Sequence, residues 1–414
     1  MFKETWRLPE DIGLSVYTPL YGKNIVLGVT GSTAAYRSVD LARALIRAGA
    51  SIKVVMTKFA ARLVSPDLFH WATGSKPYVE MTGETEHIDL AKWADAVVIA
   101  PATLNTICKL ANGVLDELLV LTATAAIGSG KKVIVVPAMN IRLLRSPVYG
   151  RCVEMLREYG VLVVPPYVEE DKAKYPPLQD LVHYIDAVVN RGRDLEGARV
   201  LVTAGPTREY IDPVRVLTNP SSGLMGVLVA REAVARGAMV TLVHGPLSTD
   251  APYMVEKVHV DTTEDMARAV NEYTSKYNYD AVVLAAAPAD YKPKVKSESK
   301  IPTKQFRELV LELESTPKVV KAIVNKPRVL VGFAAETARG DELRRKALEK
   351  ISEYGFDIIV ANNILSEKAG FGKIFLEAVI LNDKDELIAE GLLTKHEIAR
   401  YVVDYISRIL KKES

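Results

Sequence analysis

Two α/β domains, each a parallel sheet covered by helices, are what this 414-residue chain predicts. Short β-branched runs alternate with amphipathic stretches along its whole length. Apolar residues make up 49%, enough for two cores. A polar segment with two glycines, 190–197 (NRGRDLEG), precedes a fresh strand–glycine–helix unit and marks the boundary. The expected divisions are 1–22 as an N-terminal extension, 23–190 as the first domain and 191–414 as the second.

In the first domain the β-branched runs predict strands at Ile25–Val29, Ile52–Met56, Ala96–Ala100, Val133–Val136 and Leu162–Val164. Helical stretches fall near Tyr36–Ala48, Thr103–Ala111, Pro147–Tyr159 and Leu178–Val189. The segment Pro165–Pro177 (PPYVEEDKAKYPP) is charged and bracketed by prolines, which predicts a loop of the length that serves as a lid. In the second domain, strands are expected near Val200–Val202, Val240–Val243, Ala281–Ala285, Val329–Gly332 and Asp357–Val360. Helices are expected near Leu224–Arg236, Thr263–Tyr277, Pro317–Val324, Glu342–Glu353 and Lys395–Ile409. Phe375–Leu381 and Glu386–Ala389 predict a hairpin around Asn382-Asp383. Tyr291–Arg307 is lysine- and serine-rich without periodicity and predicts a loop.

Bulk properties narrow the function. The 53 basic and 51 acidic residues leave a net charge of +2, which argues against a nucleic-acid or membrane-surface partner. The N-terminus (MFKETWRLPEDIG) has no apolar core of a signal peptide, and no run of 18 apolar residues exists, so a cytoplasmic protein is expected. Two cysteines, Cys108 and Cys152, are too few for a disulfide framework. They predict a reducing compartment, with each thiol a small buried residue. The six histidines show no ligand spacing, so no transition-metal site is expected.

The chemistry gathers where strands end. The first strand runs into Gly28–Tyr36 (GVTGSTAAY). There the amides of Gly31, Ser32 and Thr33 and two hydroxyls would cradle an anion. The second ends at Met56-Thr57-Lys58-Phe59. Ala100-Pro101-Ala102-Thr103-Leu104-Asn105 and Pro137-Ala138-Met139-Asn140 end two more. An open parallel sheet collects its ligand at this edge. In the second half, Gly205-Pro206-Thr207-Arg208-Glu209 is followed by Asp212, Arg215 and Asn219-Pro220-Ser221-Ser222-Gly223. Ala287 and Asp290, Lys300 with Lys304 near, Phe333, and Asn362 each lie at or just after a strand end. Neither half has the GxGxxG and acidic residue of a nicotinamide enzyme, which disfavours that rival.

These motifs, with His87-Ile88-Asp89-Leu90, resemble the flavin-containing cysteine decarboxylases. From about Lys23 onward the chain resembles the bifunctional phosphopantothenoylcysteine decarboxylase/phosphopantothenate–cysteine ligase family of coenzyme A synthesis. The resemblance implies a flavodoxin-like doubly wound sheet followed by a Rossmann-like nucleotide-binding sheet. It implies FMN in the first domain, at Gly31, Ser32, Thr33, Thr57, Phe59, Ala100, Thr103, Asn105 and Met139. His87 and Asn140 match active-site residues, Asn140 contacting the substrate carboxylate. Oxidation of the cysteinyl thiol to a thioaldehyde lets carbon dioxide leave, and the enethiolate is then reduced. The family's flap cysteine is missing from PPYVEEDKAKYPP. Lys172, Lys174 and Tyr175 are the chemically eligible proton donors in its place.

For the second domain the resemblance implies that 4′-phosphopantothenate reacts with CTP, or ATP, and Mg²⁺ to an acyl-nucleotidylate, which cysteine then attacks. Asn219 matches the residue acting on that intermediate and Lys300 the lysine at the phosphates. Asp290 and Phe333 match nucleotide contacts. Gly205, Thr207, Arg215, Ser221, Ser222, Gly223 and Ala287 belong to the same binding loops. Lys346 and Lys350 stand as phosphate ligands, at a longer spacing before Asp357 than usual. The metal ligands are unspecified. Homo-oligomers are implied too: a trimer or higher through the flavin domain, a dimer through the ligase domain. The alternative is an active ligase with a regulatory or partly active flavin domain.

Overall fold

The computed structural model describes residues 14–302, 308–365 and 373–412. Lys304 lies outside the described residues. The chain forms two compact units, one ending at Gly192 and one starting at Arg193.

The first unit holds a five-stranded parallel sheet. In space the strands run Ser51–Met56, Asn24–Val29, Ala96–Ala102, Lys132–Pro137, Leu162–Val163, which is the flavodoxin-like order 2-1-3-4-5. Both faces are covered, so the strands read as continuous apolar runs; Ala96–Ala102 is buried throughout. One face carries helices Arg37–Arg47, Pro66–Thr73 and Leu178–Asn190. The other packs Glu86–Trp93, Leu104–Asn112, Leu118–Gly128 and Pro147–Glu158 over Val26, Val97 and Val135.

Helix Leu118–Gly128 has no counterpart among the sequence expectations. Its sequence, LLVLTATAAIG, is apolar on every side, so it carries no 3.6-residue stripe to read. Leu119 lies so close to the first strand that a Cβ on Gly28 would sit 2.4 Å from its Cδ1.

Five expectations need correction. The expected loop Tyr291–Arg307 begins with a strand, Tyr291–Pro293, paired antiparallel with Leu313–Ser315. Cys108 and Cys152 are joined in a disulfide, not separate thiols. Their helices pack side by side and bring the Cα atoms to 5.3 Å, inside the bridging range. A count of two cannot reveal that proximity, and the inference of a reducing compartment loses its support. The expected lid loop is a β-hairpin, Tyr167–Glu169 with Lys172–Lys174, turned by Glu170 and Asp171 at positive φ. Pro317–Val324 forms only a 3-10 turn, Val319–Ala322. The charged loop after Gly205 contains a two-stranded ribbon, Arg208–Tyr210 with Val216–Thr218.

The second unit is built on eight strands. They run in space Glu256–His259, Met239–His244, Arg199–Ala204, Ala281–Leu284, Val329–Glu336, Ile358–Asn363, Phe375–Asn382, Leu387–Thr394. The first six are parallel in the order 3-2-1-4-5-6, and the last two form the expected antiparallel hairpin. Helices Leu224–Ala235 and Lys395–Lys412 cover one face; Thr263–Lys276 and Gly340–Tyr354 cover the other. Arg236, 1% exposed, anchors the unit's first residues to its last helix. Its Nε and Nη2 donate to Asp194 at 2.7 and 2.6 Å, and its Nη1 to Asp404 at 2.6 Å.

Candidate active sites

In the first unit the strand order reverses between Asn24–Val29 and Ala96–Ala102, and the loops beyond those strands are stitched together. Thr30 Oγ1 donates to the Pro101 carbonyl at 2.8 Å and accepts from the Thr103 amide at 3.0 Å. Ser38 donates to the Ala100 carbonyl at 2.7 Å. Ser32, Thr57 and Thr103 are the N-caps of the helical segments starting at Thr33, Lys58 and Leu104. Their amides therefore point to the edge where a doubly wound sheet binds an anion. Gly31 is required there by contact: a Cβ would sit 2.2 Å from Phe59 Cδ1.

Beside this turn lies a cleft of about 450 Å³ lined by Ser32, Thr33, Arg37, Met139, Asn140 and Lys172, among others. The corrected hairpin forms its wall. Met139–Asn140 pairs with Lys172–Lys174, placing Asn140 opposite Lys172. Asn140 Oδ1 accepts from the Arg142 amide at 2.9 Å. The three proton-donor candidates differ sharply. Lys174 bonds Glu170 at 2.7 Å and Glu169 at 2.9 Å, and these carboxylates hold its ammonium above the usual range. Tyr175 is buried, which pushes its hydroxyl up. Lys172 is exposed. His87 sits in the first turn of Glu86–Trp93, half-buried. Neither it nor Asn105 lines the Asn140 cleft; Asn105 borders a groove with Cys108. Hydroxyls, helix-start amides and the Arg37 guanidinium suit a phosphate monoester, so the donor set fits FMN.

The second unit has a cleft of about 580 Å³ at the corresponding edge. It opens where the order reverses between Arg199–Ala204 and Ala281–Leu284. Asn219 spans that point: its Nδ2 donates to the Ala287 and Pro288 carbonyls at 3.2 and 3.0 Å. Ser221, Ser222, Gly223, Ala287, Asp290, Phe333 and Lys350 also line the cleft. Gly223 caps the helix from Leu224 with φ +75°. Gly205, at φ +79°, has no room for a Cβ, which would lie 2.7 Å from the Pro246 carbonyl oxygen.

Among the other expected site residues, Thr207 and Arg215 brace the loops of this edge. Thr207 is buried, its Oγ1 2.7 Å from Thr263 Oγ1 and accepting from the Ala289 amide at 2.9 Å. Arg215 donates to Asp212 at 2.7 Å and to the Ile301 carbonyl at 3.1 Å. Burial raises the Asp212 carboxyl, but the amides of Val214, Ile301 and Arg215, with the Arg215 charge, outweigh it and bring it to about 2. Lys300 is exposed beside Ile301, outside the cleft lining. Lys350 and Lys346 bond Glu336 at 2.6 and 3.2 Å. Burial raises the Glu336 carboxyl, and the two lysines more than reverse this. Sequence reasoning missed two lysines lining the cleft: Lys318, which bonds Asp290 at 2.7 Å, and Lys395. Pro317-Lys318 was hidden in an expected helix, and Lys395 read as an ordinary helix start.

Among the described residues no group of three or more His, Cys, Asp or Glu could hold a metal, and no helix is long and apolar enough to cross a membrane. The two units thus define a protein with a flavodoxin-like sheet and a Rossmann-like sheet, each with a cleft at its strand-end edge. The family models agree with each: "Flavoprotein" matches residues 14–190, and "DNA/pantothenate metabolism flavoprotein C-terminal domain" matches 195–410. The coenzyme A biosynthesis bifunctional protein CoaBC of Thermococcus kodakarensis is 40% identical over 94% of this chain and 96% of its own length. That of Bacillus subtilis is 37% identical over 85% of this chain and 89% of its own. A crystal structure of a CoaBC C-terminal domain, 37% identical, covers 53% of this chain and 99% of that one, with a TM-score of 0.44. The chain belongs to the CoaBC family of bifunctional coenzyme A biosynthesis proteins.

Proposed function

We propose that this chain converts 4′-phosphopantothenate and cysteine to 4′-phosphopantetheine, by ligation in the second unit and decarboxylation in the first. The strongest support is the 40% identity to a bifunctional relative across both units.

In the ligase cleft, a nucleoside triphosphate, CTP or ATP, lies over the switch point with its base side toward Asp290 and Phe333. Mg²⁺ comes with the phosphates, as it does where few carboxylates are offered. Lys350 and Lys346 leave Glu336 to meet the phosphates, and Lys300 closes over them from its exposed segment. Asn219 donates to the acyl-nucleotidylate, whose developing charge needs a fixed dipole. Its two carbonyl bonds set the direction from which it acts.

In the decarboxylase cleft, FMN supplies the two-electron oxidation of the cysteinyl thiol and the later reduction. Ser32, Thr33 and Arg37 hold its phosphate. Asn140 binds the substrate carboxylate, and its bond to the Arg142 amide fixes the side chain. Lys172, across from Asn140 and exposed, delivers the last proton in place of a flap cysteine. His87 lies outside this cleft and acts across a contact between copies, with the flavin near that contact in a homo-oligomer. Both steps run in the cytoplasm.

The test separates the two units. A His87→Asn chain given 4′-phosphopantothenate, cysteine, Mg²⁺ and CTP should accumulate 4′-phosphopantothenoylcysteine without releasing carbon dioxide. Undiminished carbon dioxide release removes His87 from the mechanism. Under single turnover, unchanged product formation by the Lys172→Ala, Lys174→Ala chain removes the lysines.

A further inference from the structure

The Cys108–Cys152 bridge joins two unlike sulfurs. Cys108 is half-buried and lines a groove of about 570 Å³, whose lining does not include Cys152. Cys152 is 4% exposed and packs in the core on that face of the sheet. Asn112 Nδ2 donates to the Cys108 carbonyl at 2.8 Å and lies 4.0 Å from Cys152 Sγ, within reach of a weak N–H···S bond. Thiol–disulfide exchange depends on which sulfur an incoming thiolate can reach and on how well the other sulfur leaves as an anion. Access favours attack at Cys108, and the Asn112 amide favours departure of Cys152.

The groove also selects what enters it. Leu104, Val114, Leu143 and Val148 give it apolar walls. Lys109 lines it too, but bonds Asp116 at 2.8 Å and Glu117 at 2.9 Å; these carboxylates hold its ammonium above the usual range and balance its charge. A small uncharged aliphatic thiol suits such walls better than an anion does. Position gives the bridge its consequence. Helix Leu104–Asn112 begins at its Thr103 cap, and Pro147–Glu158 follows the short helix Ile141–Leu144 that Asn140 caps. The bridge thus ties two strand-end loops of the first unit together from outside the Asn140 cleft.

We propose that Cys108 is a thiol-exchange site, on which a small uncharged aliphatic monothiol forms a mixed disulfide while Cys152 leaves and serves as the resolving thiol. The incoming thiol gives its proton to water and attacks Cys108 Sγ as the thiolate. A sulfur–sulfur bond forms to Cys108, the bond to Cys152 breaks, and the electron pair departs on Cys152, which takes a proton from water. One disulfide and one thiol stand on each side, so no other oxidant or reductant is needed. In reverse, the Cys152 thiolate attacks Cys108, expels the small thiolate and closes the bridge. Opening frees the two helices from each other, so the grip of the first unit on flavin follows the thiol balance around it.

The test uses the full oxidised chain with FMN and 2-mercaptoethanol as the probe. Samples are quenched with iodoacetamide and the cysteine peptides are mapped by mass without reduction. The expected species carries mercaptoethanol on Cys108 and the alkyl group on Cys152. Asn112→Ala should open roughly 5-fold more slowly, the loss of one weak hydrogen bond to the leaving sulfur. Cys152→Ser, given 2-hydroxyethyl disulfide, should hold a lasting adduct on Cys108, whereas wild type sheds it and recloses the bridge. Flavin absorbance checks that each variant is folded, and flavin release from the Cys152→Ser adduct should occur at lower temperature than from the bridged wild type. An adduct on Cys152 with Cys108 alkylated overturns the proposal. So does an adduct that forms only after urea unfolding, or a Cys152→Ser chain whose Cys108 stays unmodified while flavin is bound.

Discussion

Reducing the Cys108–Cys152 disulfide should destabilise the first unit and leave the second untouched. The bridge spans 44 residues of sequence, a stretch that includes helix Leu118–Gly128 and strand Lys132–Pro137. Loop-closure entropy for a loop of that length gives about 4 kcal/mol at 25 °C. Packing supports a value near the full figure, because Cys152 is buried in the core on that face of the sheet and the helices already lie at bridging distance. For a unit of this size, about 4 kcal/mol corresponds to a fall in melting temperature of roughly 10 °C. The bridge also ties the helix after Thr103 to the helix after Asn140, so flavin fluorescence should report the same transition. The assay is thermal and urea unfolding of the oxidised chain with and without a phosphine reductant, followed by flavin release and by a ligase-unit probe. Coincident flavin transitions in the two states would refute the reasoning. So would two free thiols in the unreduced, denatured chain.

Three further outcomes are expected. Arg236→Met takes the shared guanidinium away from Asp194 and Asp404, and removing one partner of a buried ion pair costs about 3–5 kcal/mol; urea unfolding of the second unit should show it, and a loss under 1 kcal/mol would contradict a buried network. His396 is held neutral, its ring brought to about 4 by burial first and then by Arg231 and Arg400. A lowered histidine lets the unfolded chain bind the extra proton, so its contribution is whole above pH 6.5 and is lost as pH falls toward 4. That loss is on the order of 3 kcal/mol, and the stability of His396→Gln relative to wild type should therefore rise across that window. Gly205→Ala places a Cβ against the Pro246 carbonyl at positive φ, so ligation should drop while decarboxylation of supplied substrate persists; normal ligation would show that the turn relaxes.

Much of this molecule was legible in its sequence, for identifiable reasons. Parallel strands buried on both faces leave β-branched runs, and all ten expected strands lie where the sheets have them, with the Asn382-Asp383 hairpin. Helix Leu118–Gly128 was not legible because burial on every side erases its period. Helices Lys58–Leu63 and Pro66–Thr73 were missed although Thr57 and Ser65-Pro66 carry cap signals, because each is short. The disulfide, the Arg236 cluster and the cleft lysines 318 and 395 join positions far apart in sequence, which no local pattern encodes. At the sites, the strand-end motifs pointed to both clefts. The division between residues that line a cleft, such as Asn140 and Asn219, and residues that brace it, such as Thr207 and Arg215, needed coordinates.

The central claim is that one chain performs both steps. It is tested most directly by a mass-resolved time course of the purified protein with 4′-phosphopantothenate, cysteine, Mg²⁺ and CTP, repeated with ATP. Transient 4′-phosphopantothenoylcysteine followed by 4′-phosphopantetheine is the predicted result. Accumulation that stops at 4′-phosphopantothenoylcysteine or its enethiol, with flavin bound, would contradict it and confine the working chemistry short of the final step.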